Sequence, residues 1–315
     1  MPNQDFQSMM RHMNLLNRCA FYHHCRFIGD VTQLRIMSGM KKQQRIITYV
    51  LCITFLSGII SLFITTPWLA VSVNYLVNYV RPTTKPKIML WAWERPETLS
   101  CLDSNKIGVA FYAGTINLIA NDFYFQPRLQ PLVIPKSVYL EAVFRINNKT
   151  GSNPQLSNSA THNLLATITK IAARPGIKSI QIDYDAKETE RPFYRNLLVQ
   201  LRAALPPQLP LSMTALASWC LGDNWLTNLP VDEIAPMLFD MGAGRQDVLS
   251  FIKFAKLQQI SLLQKCVGLS TTEPNVIDVL QQRFTNCPQR IYFFSVQPWN
   301  LNRIETAKTK TQTWL

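Results

Sequence analysis

The chain has 315 residues, 47% of them hydrophobic and 16% charged, with a formal net charge of +13. That apolar content is enough for an ordinary buried core and excludes a disordered polymer. The Lys and Arg residues form no basic run interleaved with aromatics, so nucleic acid is not an expected partner.

Residues 1–45 carry seven Lys or Arg against two Asp, net +5, and read as a basic cytoplasmic leader. From Ile46 to Val80, "IITYVLCITFLSGIISLFITTPWLAVSVNYLVNYV", there is no charged residue. About 20 apolar residues cross the ~30 Å hydrocarbon layer as a helix, so a transmembrane or signal-anchor helix is expected over 46–73, with a linker over 74–87. Arg35, Lys41, Lys42 and Arg45 precede the apolar run and the next charge is Arg81. The positive-inside rule then puts the N-terminus in the cytoplasm and the bulk of the chain across the membrane. The expectation is a single-pass bacterial inner-membrane protein whose C-terminal domain faces the periplasm or the exterior. A buried core helix is the alternative for this run. Ala70-Val71-Ser72 imitates a cleavage site only loosely, so an uncleaved anchor is expected, although "MKKQQRIITYVL" from Met40 reads as a signal sequence by itself.

Seven cysteines divide by compartment: Cys19 and Cys25 in the leader, Cys52 in the apolar run, and Cys101, Cys220, Cys266 and Cys287 beyond it. Their spacings match no zinc pattern, and "CAFYHHC" with His23 and His24 is a weak imitation of one. No metal and no cofactor is expected. In an oxidising space the last four are candidates for disulfides, with the pairing open.

Residues 88–315 read as one domain. Short apolar runs predict strands at Lys87 to Trp93, Ile107 to Ala113, Val138 to Ile146, Ser179 to Asp185, Leu211 to Ala217, Glu233 to Phe239, Ile260 to Gly268 and Arg290 to Val296. Helices are expected at Asn158 to Ala173, Pro192 to Leu205, Arg245 to Leu257 and Pro274 to Phe284, with Gly176, Pro206, Pro207, Pro210 and Pro288 marking turns. Strand starts fall roughly 20–40 residues apart, near the ~30 of a strand-helix-strand unit. Eight such units predict an α/β fold, a (β/α)8 TIM-like barrel. "TINLIANDFYFQPRLQPLVIP" (Thr115 to Pro135) departs from the repeat and reads as an extra hairpin. An open doubly wound sheet is the alternative, but no glycine-rich phosphate loop follows the first strand.

In such a barrel the site lies at the C-terminal ends of the strands. The fourth run, "SIQIDYDAKETE", puts Gln181, Asp183 and Asp185 on one face and turns Ile180, Ile182 and Tyr184 to the other. Two carboxylates about 6–7 Å apart on one face resist joint ionisation, which raises one pKa and makes that group a candidate acid.

"GIKSIQIDYDAKETE" resembles the fourth-strand signature Asp-Gly-x-Asp-x-Asp-x-Glu of the chitinase-like glycoside hydrolases of family eighteen. Asp185 falls at the Glu, Asp183 and Gln181 at the two preceding Asp positions, and Lys178 at the first Asp. "PMLFDMG" is similar to that family's Met-x-Tyr-Asp segment, with Met237, Phe239 and Asp240 in its places. Asp185 is one methylene shorter than the Glu, and Phe239 lacks the Tyr hydroxyl. A wider resemblance, carried by "WAWERPE", "IQIDYDA", "LSMTALASWC", "DNWL" and "LPVDEIAPMLFDMG", is to an uncharacterised bacterial family of membrane-anchored barrel domains. It implies a shared fold and anchor and supplies no activity.

The resemblance to the hydrolases implies Asp185 as proton donor, Asp183 as its orienting partner and Asp240 as a substrate-positioning group. Trp93, Glu94, Arg95, Arg145, Gln181, Trp219, Phe239 and Trp299 fill out a candidate substrate surface, because aromatic rings stack on sugar faces while Arg and amides bind hydroxyls. Arg95 and Arg145 are also candidates simply to neutralise the aspartates. The expected function is a membrane-anchored, glycoside-hydrolase-like enzyme acting on an envelope or amino-sugar polysaccharide by acid catalysis, its partners a carbohydrate and the membrane. Alternatives are a non-catalytic barrel that binds glycan or a protein at the same face, and a hydrolase or deacetylase holding a metal at the acidic pair.

Overall fold

The computed structural model describes residues 85–312 apart from 152, 222 and 223. The expected leader, the membrane helix and all but the last residues of the linker lie outside the described residues. Among the described residues no helix is long and apolar enough to cross a membrane.

Eight parallel strands form the framework: β1 (Ile88–Ala92), β3 (Ile107–Ile119), β6 (Leu140–Asn148), β7 (Ile177–Asp183), β8 (Leu211–Leu216), β9 (Glu233–Met237), β10 (Cys266–Ser270) and β11 (Arg290–Phe294). Each pairs with the next in that order, and β1 pairs with both β3 and β11, so the sheet closes on itself. The architecture is a TIM-like barrel, as the strand spacing implied. Short pieces β2 (Glu97–Thr98) and β5 (Leu132–Val133) pair outside it. The stretch read as an extra hairpin is one: β3 runs on past the barrel and returns as antiparallel β4 (Asp122–Pro127).

Helices α1 (Asn158–Ala172), α2 (Arg191–Ala204), α3 (Arg245–Phe254), α4 (Ser261–Lys265), α5 (Pro274–Arg283) and α6 (Leu301–Gln312) follow later strands. Local chemistry explains their starts. The Ser157 hydroxyl accepts the Ala160 amide at 3.2 Å to cap α1, and Pro192 and Pro274 sit in the first turns of α2 and α5, where a missing N–H costs nothing. In α1 the buried residues Ala160, Leu164, Ile168, Ile171 and Ala172 recur at helical spacing and form its inner stripe. Burying each such Leu or Ile contributes about 1.5–3 kcal/mol.

One expected strand is displaced. Residues 257–260 form a 3-10 turn and Ser261–Lys265 the short helix α4, so the strand runs over Cys266–Ser270 instead of Ile260 to Gly268. Ile260 and Leu263 are both buried and three residues apart, a helical spacing that a short apolar run does not distinguish from a strand.

Two separate apolar layers result. Outward residues of the strands, such as Leu90, Val109, Leu269 and Ile291, meet Val248 and Ile252 of α3 and Ile277 and Leu280 of α5. Inward residues Met89, Trp91, Ala110, Val143, Ala235 and Tyr292 fill the barrel. Gly268 makes the second layer possible: a Cβ there would lie 2.7 Å from Cη2 of Trp91.

The N-terminal end of the barrel is closed by charge. Lys85 donates to Glu141 at 2.8 Å and to Glu233 at 2.7 Å, Arg290 donates to Glu233 at 2.6 Å, and the Tyr292 hydroxyl donates to Glu141 at 2.7 Å. Ser179 and Ser212 complete the shell of the fully buried Glu141 at 3.0 Å each. Burial acts to raise the Glu233 carboxyl, but Lys85 and Arg290 outweigh it and hold that pKa below the ordinary range. Two acids facing two bases leave this plug neutral, the condition on which buried charge is tolerated.

Candidate functional site

At the opposite, C-terminal end the inward residues no longer meet, and they surround a cavity of about 390 Å³. Its walls divide by chemistry. Arg145 of β6, Asp183 and Asp185 at the end of β7, and Thr214 of β8 form a polar side, while Trp91, Met237, Phe239 and Phe294 form an apolar one. Phe239 and Phe294 stack with ring centres 5.1 Å apart, and Trp91 meets Phe239 edge-on at 5.9 Å.

Strand β7 ends at Asp183, so Asp185 stands on the first residues of the loop beyond. Parallel register places Arg145 beside Asp183. The Arg145 guanidinium donates to Asp183 Oδ2 and to Asp185 Oδ2, each at 3.3 Å. Thr214 donates to Asp183 Oδ1 at 2.7 Å. Asp183 is 4% exposed, whereas the side chain of Asp185 is 43% exposed. Burial, reinforced by the charge of Asp185, pushes the Asp183 carboxyl up to about 6, against the opposing pull of Arg145 and Thr214. Asp185 is raised as well by partial burial, again opposed by Arg145. A carboxyl that keeps its proton near pH 6 in an open cavity is suited to proton donation.

Asp240 lies on the same rim, exposed and in the left-handed backbone region at φ 50°. Asp tolerates that conformation better than most residues. Its amide donates to Glu273 Oε1 at 2.8 Å, and Glu273 is paired with Arg245, so the loop after β9 is tied to the loop after β10.

Of the expected substrate surface, Trp93, Arg145 and Phe239 line the cavity with the three aspartates. The others stand elsewhere. Gln181 is fully buried beneath the cavity, accepting the Trp91 indole N–H at 2.8 Å and donating to Ser212 at 3.3 Å. Arg95 is held by Glu97 at 2.7 Å and donates to the carbonyls of Ser295 and Gln297, and Glu94 beside it is exposed outside the cavity lining. Trp219 is buried edge-on against Trp225, with ring centres 4.9 Å apart. Trp299 belongs to the outer core, where its indole donates to the Trp91 carbonyl at 2.8 Å. A tryptophan after a strand buries more apolar area by turning into the core than by standing at the rim, and nothing in the local pattern marks the difference.

Thr214, Leu216 and Phe294 were not singled out from the sequence, although alternation along β8 and β11 points them inward; Met237, placed by the likeness to the Met-x-Tyr-Asp segment, lines the cavity from β9. Met241, Gly244 and Val248 reach the cavity from the loop after β9 and from α3, for which the sequence carried no signal. Cys101, Cys220, Cys266 and Cys287 are all free, so the disulfides considered from the sequence do not form among them. Among the described residues no three His, Cys, Asp or Glu side chains gather as a metal site, and "CAFYHHC" lies outside those residues.

Several solved structures are similar to this chain. A family GH18 chitinase from Chromobacterium violaceum matches at 13% identity and a TM-score of 0.44, over 73% of this chain and 83% of its own. The GH113 β-mannanase of Alicyclobacillus acidocaldarius matches at 9% identity and a TM-score of 0.43, over 74% of this chain and 100% of its own. The spore cortex-lytic enzyme of Bacillus cereus matches at 16% identity and a TM-score of 0.38, over 60% of this chain and 51% of its own. No curated protein matches the sequence. Residues 140–234, the stretch from the third barrel strand to the start of the sixth that supplies Arg145, Asp183, Asp185 and Thr214, match the domain of unknown function DUF3142.

Proposed function

We propose that this protein is a glycoside-hydrolase-like enzyme that cleaves an envelope or amino-sugar polysaccharide by acid catalysis. The observation that carries the reading is the position of Asp183 and Asp185 in the wall of an open, aromatic-lined cavity at the catalytic end of a barrel. Asp183, the group that holds its proton to about pH 6, is the reservoir of the proton delivered to the leaving oxygen. Asp185, more exposed, stands nearer the sugar and either passes that proton on or balances the charge that develops on the ring. Asp240, in the same cavity lining, accepts hydroxyl hydrogen bonds, and Trp93 and Phe239 offer rings to the sugar face.

The uncharged run at 46–80 supports an anchor that keeps the barrel at the outer face of a bacterial inner membrane, near such a polymer. A second reading is a glycan-binding barrel without turnover, favoured by Arg145, which ties up both carboxylates.

The test incubates purified protein with β-linked hexosamine and hexose oligosaccharides and with isolated envelope glycan, and follows new reducing ends. Release that disappears in both Asp183→Asn and Asp185→Asn, with folding retained, supports the enzyme. Binding with no product selects the second reading, and neither binding nor product on any glycan overturns both.

A further inference from the structure

Arg145 bridges a buried carboxylate, Asp183, whose side chain is 5% exposed, and an open one, Asp185. The Arg145 side chain is 38% exposed and that of Asp185 is 43% exposed, and ion pairs so open to water contribute about 0–1 kcal/mol to stability. Yet its orientation is fixed on every side. Nη1 reaches Asp183 and Nη2 reaches Asp185, both at 3.3 Å, while Nε donates to Asn147 Oδ1 at 3.4 Å. The guanidinium carbon stands 5.9 Å from the centre of the Trp93 ring, a cation-π distance. Among the described residues Arg145 is also the single cation in the cavity lining, which holds three aspartates.

The fork therefore joins two carboxylates that differ in every other respect. Asp183 is sealed, with Thr214 of β8 on its second oxygen and Tyr194 of α2 behind the strand. Asp185 is open to the cavity, whose lining also holds Asp240. Tyr112 of β3 feels the charges of both Arg145 and Glu94. A positive charge shared by two acids favours the state in which one is ionised, and water and the fork together favour the more exposed one.

We propose that Arg145 is the positioning residue of the acid pair: its guanidinium keeps Asp185 as the carboxylate facing the cavity, so that the pair's single proton rests on Asp183. This rests on reading the pair as the proton donor of the proposed hydrolase. When a sugar hydroxyl or ring oxygen enters beside Asp185, the long bond to Nη2 is the contact it replaces, while Nη1 and Asn147 keep the guanidinium in register.

The experiment is a carboxyl NMR titration of the full chain with 13C-labelled aspartate, peaks being assigned by Asp183→Asn and Asp185→Asn. In the unmodified protein Asp183 titrates near 6 and Asp185 below it. In Arg145→Gln, a polar replacement at a partly exposed position, both midpoints rise, that of Asp183 by about one pH unit or more, while thermal stability at about pH 4, where native Asp183 holds its proton in both proteins, changes little. Arg145→Lys, which keeps the charge and loses the fork, restores the midpoint of Asp183 in part. Unmoved midpoints in a folded Arg145→Gln, or an Asp185 that titrates above Asp183 in the unmodified protein, overturn the proposal. The titration needs no glycan, so inactivity on every glycan counts against the hydrolase and leaves this result standing. If Arg145→Gln fails to fold, the exposed pair was structural after all and the proposal falls.

Discussion

Replacing Asp183 by Asn removes one buried titrating group and leaves its volume nearly unchanged, which isolates the energetic consequence of its shifted pKa. The folded carboxyl titrates near 6 against 3.8 for an ordinary aspartate, a difference of about two pH units, or about 3 kcal/mol. A raised folded pKa means that the native state binds the proton more tightly than the unfolded chain. The contribution is therefore fully present below pH ~4 and lost as pH rises through ~6. The penalty of holding Asp183 ionised is then complete at pH 7.5, and Asp183→Asn does not bear it. Urea unfolding of both proteins between pH 4 and pH 7.5 measures the effect. The stability of the variant relative to the parent is expected to improve by about 3 kcal/mol across that range, with most of the change between pH 4 and 6. A difference that stays flat with pH, or that moves in the opposite direction because Arg145 holds Asp183 ionised, refutes the assignment of the proton to Asp183.

Two further outcomes test the framework that carries the site. Glu141→Gln removes the charge that faces Lys85 inside the barrel, and is expected to cost about 3 kcal/mol in chemical denaturation; a loss below about 1 kcal/mol shows that water or Glu233 compensates for it. Gly268→Ala puts a Cβ 2.7 Å from the Trp91 ring. That ring is stacked on Tyr292 and bonded to Gln181, so it has nowhere to move, and overpacking of about 1–3 kcal/mol should appear as a lowered melting temperature.

The closed parallel barrel was legible because strands buried on both faces read as apolar runs, and because helices betray themselves by capping residues and by spacing such as that from Ala160 to Ile171. The pair at Asp183 and Asp185 was legible for a related reason, since two acids on one face of an otherwise buried strand demand an account. The run from Ile260 was misread because its apolar spacing serves helix and strand alike, and only the pairing of Cys266–Ser270 with β11 decides between them.

What the sequence by itself determined is the period of each segment, and with it which residues of a strand share a face. The tertiary structure alone decided which faces meet. The register of β6 against β7 set Arg145 beside Asp183, close packing beneath the cavity buried Gln181 under Trp91, and the core claimed Trp219 and Trp299 for their area. Periodicity is a property of neighbours along the chain, whereas register and burial are fixed by residues far apart in sequence competing for the same space. For that reason the acids could be read in advance, and the arginine that holds them together could be placed there only by the fold.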